Sequence, residues 1–210
     1  MRNRSPGGPS TRETDLPSGS KKIRVSGVEV NILAKTVEYR GEDGKMITES
    51  YCDYSRRNIR SEYASLDDFI RKWSTTQKKE AIIKELEDYG IDLEKLAEEV
   101  GEDYGNFDLI CHIAYDAAPL TRRERADNVK KRDYFAKYGA KARAVLEALL
   151  EKYADEGVIT IESPKVLKLN PFVDMGTPVE IINDVFGGRK KYETAIYELE
   201  QQLFDERLTA

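Results

Sequence analysis

Phe107–Gly157 reads FDLICHIAYDAAPLTRRERADNVKKRDYFAKYGAKARAVLEALLEKYADEG, and its changes of character set the expected fold. The opening, Phe107 to Tyr115, has little polarity for most of two turns, with Phe107, Ile110, Ile113 and Ala114 on its inward side. That pattern predicts a central helix. Pro119-Leu120 closes a loop, and Thr121-Arg122-Arg123-Glu124 has the spacing of a capping box. There the threonine oxygen accepts from the N–H three residues on and the glutamate reaches back. A basic helix therefore starts at Thr121, with a break near Tyr138-Gly139. The helix after it places Val145, Leu146, Leu149, Leu150 and Tyr153 on one side and stops at Gly157.

The middle of this stretch is the candidate site. From Thr121 to Arg143 there are nine cations, Arg122, Arg123, Arg125, Lys130, Lys131, Arg132, Lys137, Lys141 and Arg143, against Glu124, Asp127 and Asp133. The local balance is +6 in a chain of net charge −5. Tyr134, Phe135 and Tyr138 are interleaved with the charges. Such a pattern suits stacking on bases with cations on phosphates, and equally suits anchoring a helix pair to a protein neighbour. Arg122, Arg123, Arg125, Lys130, Lys131, Arg132 and Lys137 are the candidate DNA or partner contacts. A third reading is internal neutralisation by Glu124, Asp127, Asp133 and the acidic stretch Glu80–Asp103, which has ten acids, two lysines and a net of −8.

Working outward toward the N-terminus, Ser65 is placed to cap a helix with Asp67 and Asp68 in its first turn and Leu66, Phe69, Ile70 and Trp73 on one face. A second helix is predicted from about Thr76 to Tyr89, with Ile82, Ile83 and Leu86 inward and Gly90 as its stop. A third opens at Asp92, buries Leu93, Leu96, Ala97 and Val100, and stops at Gly101; the tight join suggests an αα-hairpin. Before these, Val28, Val30, Ile32, Val37 and Tyr39 alternate with polar residues, Gly41–Gly44 makes a turn, and Met46–Tyr54 is rich in Ile, Thr and Tyr. This reads as a β-hairpin with a four-residue loop, one that must pack on helices or pair with a further strand. Residues 1–21, rich in Gly, Pro, Ser and Thr, read as a disordered leader.

Toward the C-terminus, Val158–Ile161 and Val166–Leu169 are short apolar pieces readable as strands. Thr177-Pro178-Val179-Glu180 is a second capping box with proline at the first helical position. Its helix carries Ile181, Ile182 and Val185 and stops at Gly187-Gly188. The last helix runs from about Arg189 to Leu203, burying Tyr192, Ile196, Leu199 and Leu203. The expected fold is mainly α, a multi-helix domain over 61–210 with an N-terminal β-hairpin over 22–60. Trp73, Ile110, Ile113, Leu146, Leu149 and Leu199 are the expected core.

The chain has 210 residues, 40% hydrophobic and 35% charged, enough for one domain with a core and much surface. No apolar run approaches the ~20 residues that span a bilayer, and no signal peptide opens it. Cys52 and Cys111 show no framework spacing and fit free thiols in a reducing, cytoplasmic setting. Together with His112, the single histidine, they do not complete a zinc site. Cys111 and His112 are adjacent on a helix, so their side chains point about 100° apart, which does not suit a nucleophilic pair. Gly41-Glu42-Asp43-Gly44-Lys45 lacks the spacing and following Ser or Thr of a phosphate-binding loop. No catalytic, cofactor or metal residue is assigned.

Five segments resemble one family, in the same order along the chain: VSGVEVNILAKTVEYRGEDGKMITES (25–50), ASLDDFIRKW (64–73), KKEAIIKELEDYGIDLEKLAEEVG (78–101), APLTRRERADNVKKRDYFAKYGAKARAVLEALLEKYADEG (118–157) and FVDMGTPVEIINDVFGGRKKYETAIYELEQQLF (172–204). Together they resemble the C-terminal domain of the R subunit of type I restriction endonucleases, EcoEI-type, over roughly 22–204. The resemblance implies a helical domain that docks an ATP-driven DNA-translocating motor and nuclease onto a methyltransferase–specificity core. The implied partners are the methyltransferase and specificity subunits and the motor and nuclease domains of the same parent, with no membrane. ATP and Mg belong to upstream parts, and no cofactor to this chain. The alternative is a DNA-binding module that contacts the phosphates of double-stranded DNA through 121–143.

Overall fold

The structure, a computed structural model, describes residues 21–25, 28–33 and 35–205. The expected leader lies outside the described residues except for Lys21, which begins the first strand. Four antiparallel strands open the described residues, paired in sequence order: β1 (Lys21–Val25), β2 (Val28–Ile32), β3 (Thr36–Arg40) and β4 (Met46–Ser50). The expected hairpin is the β3–β4 pair, with Tyr39 opposite Ile47 and Arg40 opposite Met46. Gly44 adopts φ +80 in its turn, a conformation that a side chain disfavours. The further strands needed to support a hairpin are β2, then β1. Val30, Ile32 and Val37 are buried, giving the sheet its inner face.

Among the described residues ten α-helices follow: α1 (Tyr51–Glu62), α2 (Leu66–Thr75), α3 (Lys79–Asp88), α4 (Leu93–Val100), α5 (Asn106–Tyr115), α6 (Arg122–Lys130), α7 (Ala140–Glu156), α8 (Val158–Glu162), α9 (Pro178–Glu180) and α10 (Arg189–Leu203). Helix α1 corrects the reading of Met46–Tyr54 as strand and moves the start of the helical part from 61 to 51. The cause is local: the Ser50 hydroxyl accepts from Asp53 N at 3.0 Å, and Tyr51, Tyr54, Ser55 and Ile59 form a buried stripe at helical spacing. Helix α3 packs on α8 and α4 on α5, so these neighbours in sequence lean on different partners. Ala97 and Val100 are only half-buried. The expected strand Val158–Ile161 is helix α8, with Val158 and Ile161 buried one turn apart, and Pro164–Lys168 is a 3-10 turn. Helix α9 widens into a π turn over Ile181–Val185.

Helix α5 is the centre, as its composition demands: Phe107, Leu109, Ile110, Cys111, Ile113 and Ala114 are buried. Around Phe107 sit Phe204 at 5.0 Å, Trp73 at 5.5 Å and Phe69 at 5.7 Å between ring centroids. The end of α5 is held by α1. Arg56 Nε donates to the carbonyl of Ile113 at 2.8 Å, and Arg60 Nε donates to that of Ala114. These are carbonyls that the last helical turn leaves unpaired. All six expected core residues, Trp73, Ile110, Ile113, Leu146, Leu149 and Leu199, are buried. No helix among the described residues is long and apolar enough to cross a membrane.

Candidate interaction surface

Helix α6 begins as its sequence requires. Thr121 Oγ1 accepts from Glu124 N at 3.2 Å, and Thr121 N donates to Glu124 Oε2 at 2.8 Å. The Thr121 amide, and then its hydroxyl, donate to the Glu124 carboxyl and hold it below its ordinary pKa. The helix lies between α7 and α10, and those neighbours receive most of its charge. Arg123 is exposed and pairs with Glu151 and, at 2.8 Å, with Asp155 of α7. Lys130 pairs with the same Glu151 and, at 3.5 Å, with Asp127. Hydrogen bonds from Lys130 and then Arg123 lower the Glu151 pKa.

Arg122 is half-buried and donates to the backbone carbonyls of Tyr104 (3.0 Å) and Ala154 (3.4 Å). Arg132 donates to the carbonyl of Gln202 at 3.2 Å and lies 3.4 Å from Asp205. Lys137 pairs with Glu198 at 2.8 Å and lies over the rings of Tyr134 and Tyr138. Arg143 pairs with Glu147 one turn on, at 2.8 Å. Lys131 and Lys141 are exposed, and among the described residues neither has an ion partner.

Arg125 departs most from the expected surface. Its side chain is fully buried, and it is removed from any face that could meet DNA or a partner. Nε donates to Asp108 Oδ2 at 2.5 Å, Nη2 to Asp108 Oδ1 at 2.8 Å, and Nη1 to the carbonyl of Leu203 at 2.8 Å. The guanidinium carbon lies 4.8 Å from the centroid of Phe107. The signal available in the sequence was position. Arg125 shares a helical face with Ala126 and Val129, both buried, and an arginine on such a face needs a buried acid.

Neutralisation within the chain thus describes most of the segment, with Asp127 among the partners as expected. The other acids lie on α5, on α7 and in or just after the second half of α10, whereas Glu85 and Asp92 of the acidic stretch pair with Lys72 and Lys21. Tyr134 and Tyr138 are likewise engaged. Tyr134 Oη donates to the carbonyl of Ala195 at 3.3 Å, and Tyr138 Oη to Glu198 at 2.7 Å.

The cysteines and histidine stand apart. Burial raises the Cys111 thiol far above its ordinary pKa and pushes Cys52 up to about 11, so neither favours a thiolate. His112 Nδ1 lies 3.0 Å from the Ala117 carbonyl. Among the described residues no group of three or more His, Cys, Asp or Glu is placed to hold a metal ion.

With this geometry in view, the sequence comparisons are specific. The family described as EcoEI R protein C-terminal matches residues 49–204. The type I restriction enzyme EcoAI endonuclease subunit of Escherichia coli is 55% identical over 184 residues, which cover 88% of this chain and 23% of that subunit. The chain therefore spans about a quarter of the length of this relative. No solved structure matches it. The chain belongs to the EcoEI R protein C-terminal family, the C-terminal domain of the R subunit of type I restriction endonucleases.

Proposed function

We propose that this domain docks the motor and nuclease of its parent subunit onto the methyltransferase–specificity core. The observation that carries the reading is a run of exposed apolar residues after α8. Leu169 is 45% exposed, Val173 48%, Met175 39% and Val179 66%. Four exposed apolar residues within eleven positions fit a protein contact better than a solvated face. The run is anchored, because Val166, Leu167, Phe172 and Ile181 in the same stretch are buried. It can therefore present a formed surface with little ordering on binding. On this reading the chain carries no chemistry of its own, and ATP and Mg act in the rest of the parent. Val173→Asp with Val179→Asp should leave the fold intact and abolish co-elution with the methyltransferase–specificity core. Unchanged co-elution, or nuclease or ATPase activity in the unaltered 210-residue chain, would overturn the reading.

The DNA-contact reading retains support from one feature. Lys190 and Lys191, with Arg189, line an open groove of about 580 Å³ beside Tyr138, and Lys131 and Lys141 have no ion partners among the described residues. If these cations meet phosphates, affinity for random-sequence duplex must fall steeply between two salt concentrations. Affinity that does not change with salt would exclude it.

A further inference from the structure

We propose that the cleft between Gly105 and Gly157 is a binding site for a small carboxylate. The cleft has a volume of about 80 Å³, and Trp73, Gly105, Phe107, Arg122, Tyr153 and Gly157 are among its walls. A single water needs about 10–15 Å³, so the space admits a ligand of a few heavy atoms.

The unpaired polar groups of the walls can both donate. Trp73 Nε1 and Tyr153 Oη are buried, and neither has a hydrogen-bond partner among the described residues. Both residues are at most 1% exposed. A buried donor without an acceptor loses its water and gains nothing in exchange, so two such donors on residues that line one cleft favour an acceptor bound there. The tyrosine oxygen lies at the Gly105 wall, where a Cβ would stand 3.7 Å from it. Burial raises the Tyr153 pKa, which keeps its O–H as a donor. Helix α5 opens at the same wall with Gly105 as its N-cap, and no side chain caps it. Its first N–H groups and the positive end of its dipole therefore face a position without an acceptor side chain.

Arg122 supplies the positive charge. Its guanidinium is already directed by the carbonyls of Tyr104 and Ala154. One carboxylate, Glu156, also borders the cleft, and it pairs with Lys152 at 3.0 Å. The set is an indole N–H, a phenol O–H, first-turn amides and one guanidinium. It matches an acceptor with a single negative charge better than a doubly charged phosphate. The two glycines keep the space open, since a Cβ at Gly105 would come within 3.4 Å of Arg122 Cγ and one at Gly157 within 3.9 Å of its Cδ.

Trp73 is the only tryptophan, so the indole N–H gives one resolved resonance in the nitrogen-correlated spectrum of the labelled 210-residue chain. Titration with sodium acetate, against sodium chloride at constant ionic strength, should shift that resonance saturably. Tyr153→Phe removes an oxygen that bonds nothing in the fold, so it should stay folded and weaken acetate about tenfold or more. Gly105→Ala, which narrows the cleft at an ordinary φ of −83, should also weaken it. A second titration uses N-acetyl-aspartate N-methylamide, which presents the carboxylate on a peptide unit. Saturation by both probes assigns the site to a partner's acidic side chain, and saturation by acetate alone assigns it to a free small acid. No shift with either probe, or an acetate shift unchanged in both variants, overturns the proposal.

Discussion

Arg125 and Asp108 form a buried ion pair joined by two hydrogen bonds, with their side chains 0% and 2% exposed. Asp108 Oδ1 also accepts from Leu120 N at 2.9 Å, and Arg125 Nη1 donates to the carbonyl of Leu203. The pair thus ties the central helix to the loop before α6 and to the end of α10. Each charge also makes a hydrogen bond outside the pair, which helps a buried pair to be tolerated.

Removing one partner should leave the other charge stranded. Arg125→Gln is expected to destabilise by about 3–5 kcal/mol, as other broken buried pairs do. Arg123→Gln, two residues away on the exposed side, should leave stability nearly unchanged. Denaturant unfolding of the two variants checks the contrast. Equal midpoints would mean that Arg125 is not held as the structure has it.

What could be read from the sequence was local. The boxes at Thr121 and Thr177 form as their spacing requires, and Ser65, Asp92, Gly101 and Gly157 begin or end helices as expected. These signals depend on residues three or four apart. At Met46–Tyr54 the strand reading overlooks a local signal, the Ser50 cap of α1, whereas at Val158–Ile161 burial overrides propensity. Val158–Ile161 is rich in β-branched residues, yet it follows Gly157 and drives two side chains into the core one turn apart. The charged segment failed differently. A count of charges along the chain cannot show that Glu151, 21 residues after Lys130 and 28 after Arg123, sits between them.

The first capping box offers a graded test of such local signals. Thr121→Ala removes the acceptor for Glu124 N and is expected to cost about 0.5–2 kcal/mol. Thr121→Ser, which keeps the oxygen, should recover most of it. A loss of equal size in both variants would point to packing of the methyl group.

Leu149 tests the core. It is fully buried on α7 among Val145, Leu146 and Tyr153. Leu149→Ala should destabilise by about 2–5 kcal/mol, through lost transfer energy and the cavity left behind. Thermal and denaturant unfolding should agree on the loss, and a change of a few tenths would mean that the site collapses around the gap.

A second buried ion pair fastens α10 through Glu200, and Glu162 beside it brings a pH dependence. Lys79 Nζ donates to Glu200 Oε2 at 2.9 Å and to the carbonyl of Thr76 at 2.6 Å. The N-terminus of α3 has no side-chain cap from Lys78; instead Lys79 N donates to Glu162 Oε1 and Oε2 at 2.9 and 3.1 Å. Burial lifts the Glu162 carboxyl from 4.5 to about 7, against the lowering effect of the Lys79 amide. Burial raises Glu200 as well, against the pull of Lys79. A carboxyl with a folded pKa above its unfolded value binds its proton more tightly in the native state. The native state then holds more protons between the two values, so stability falls as pH rises from about 4.5 to about 7 and levels off above. The unaltered chain should therefore unfold at higher denaturant near pH 5 than at pH 8. Glu162→Gln, neutral throughout and still able to accept the Lys79 N–H, should flatten much of that slope while Glu200 preserves the rest. A slope of opposite sign, or one unchanged in Glu162→Gln, would show that Glu162 is ionised at both pH values in the folded chain.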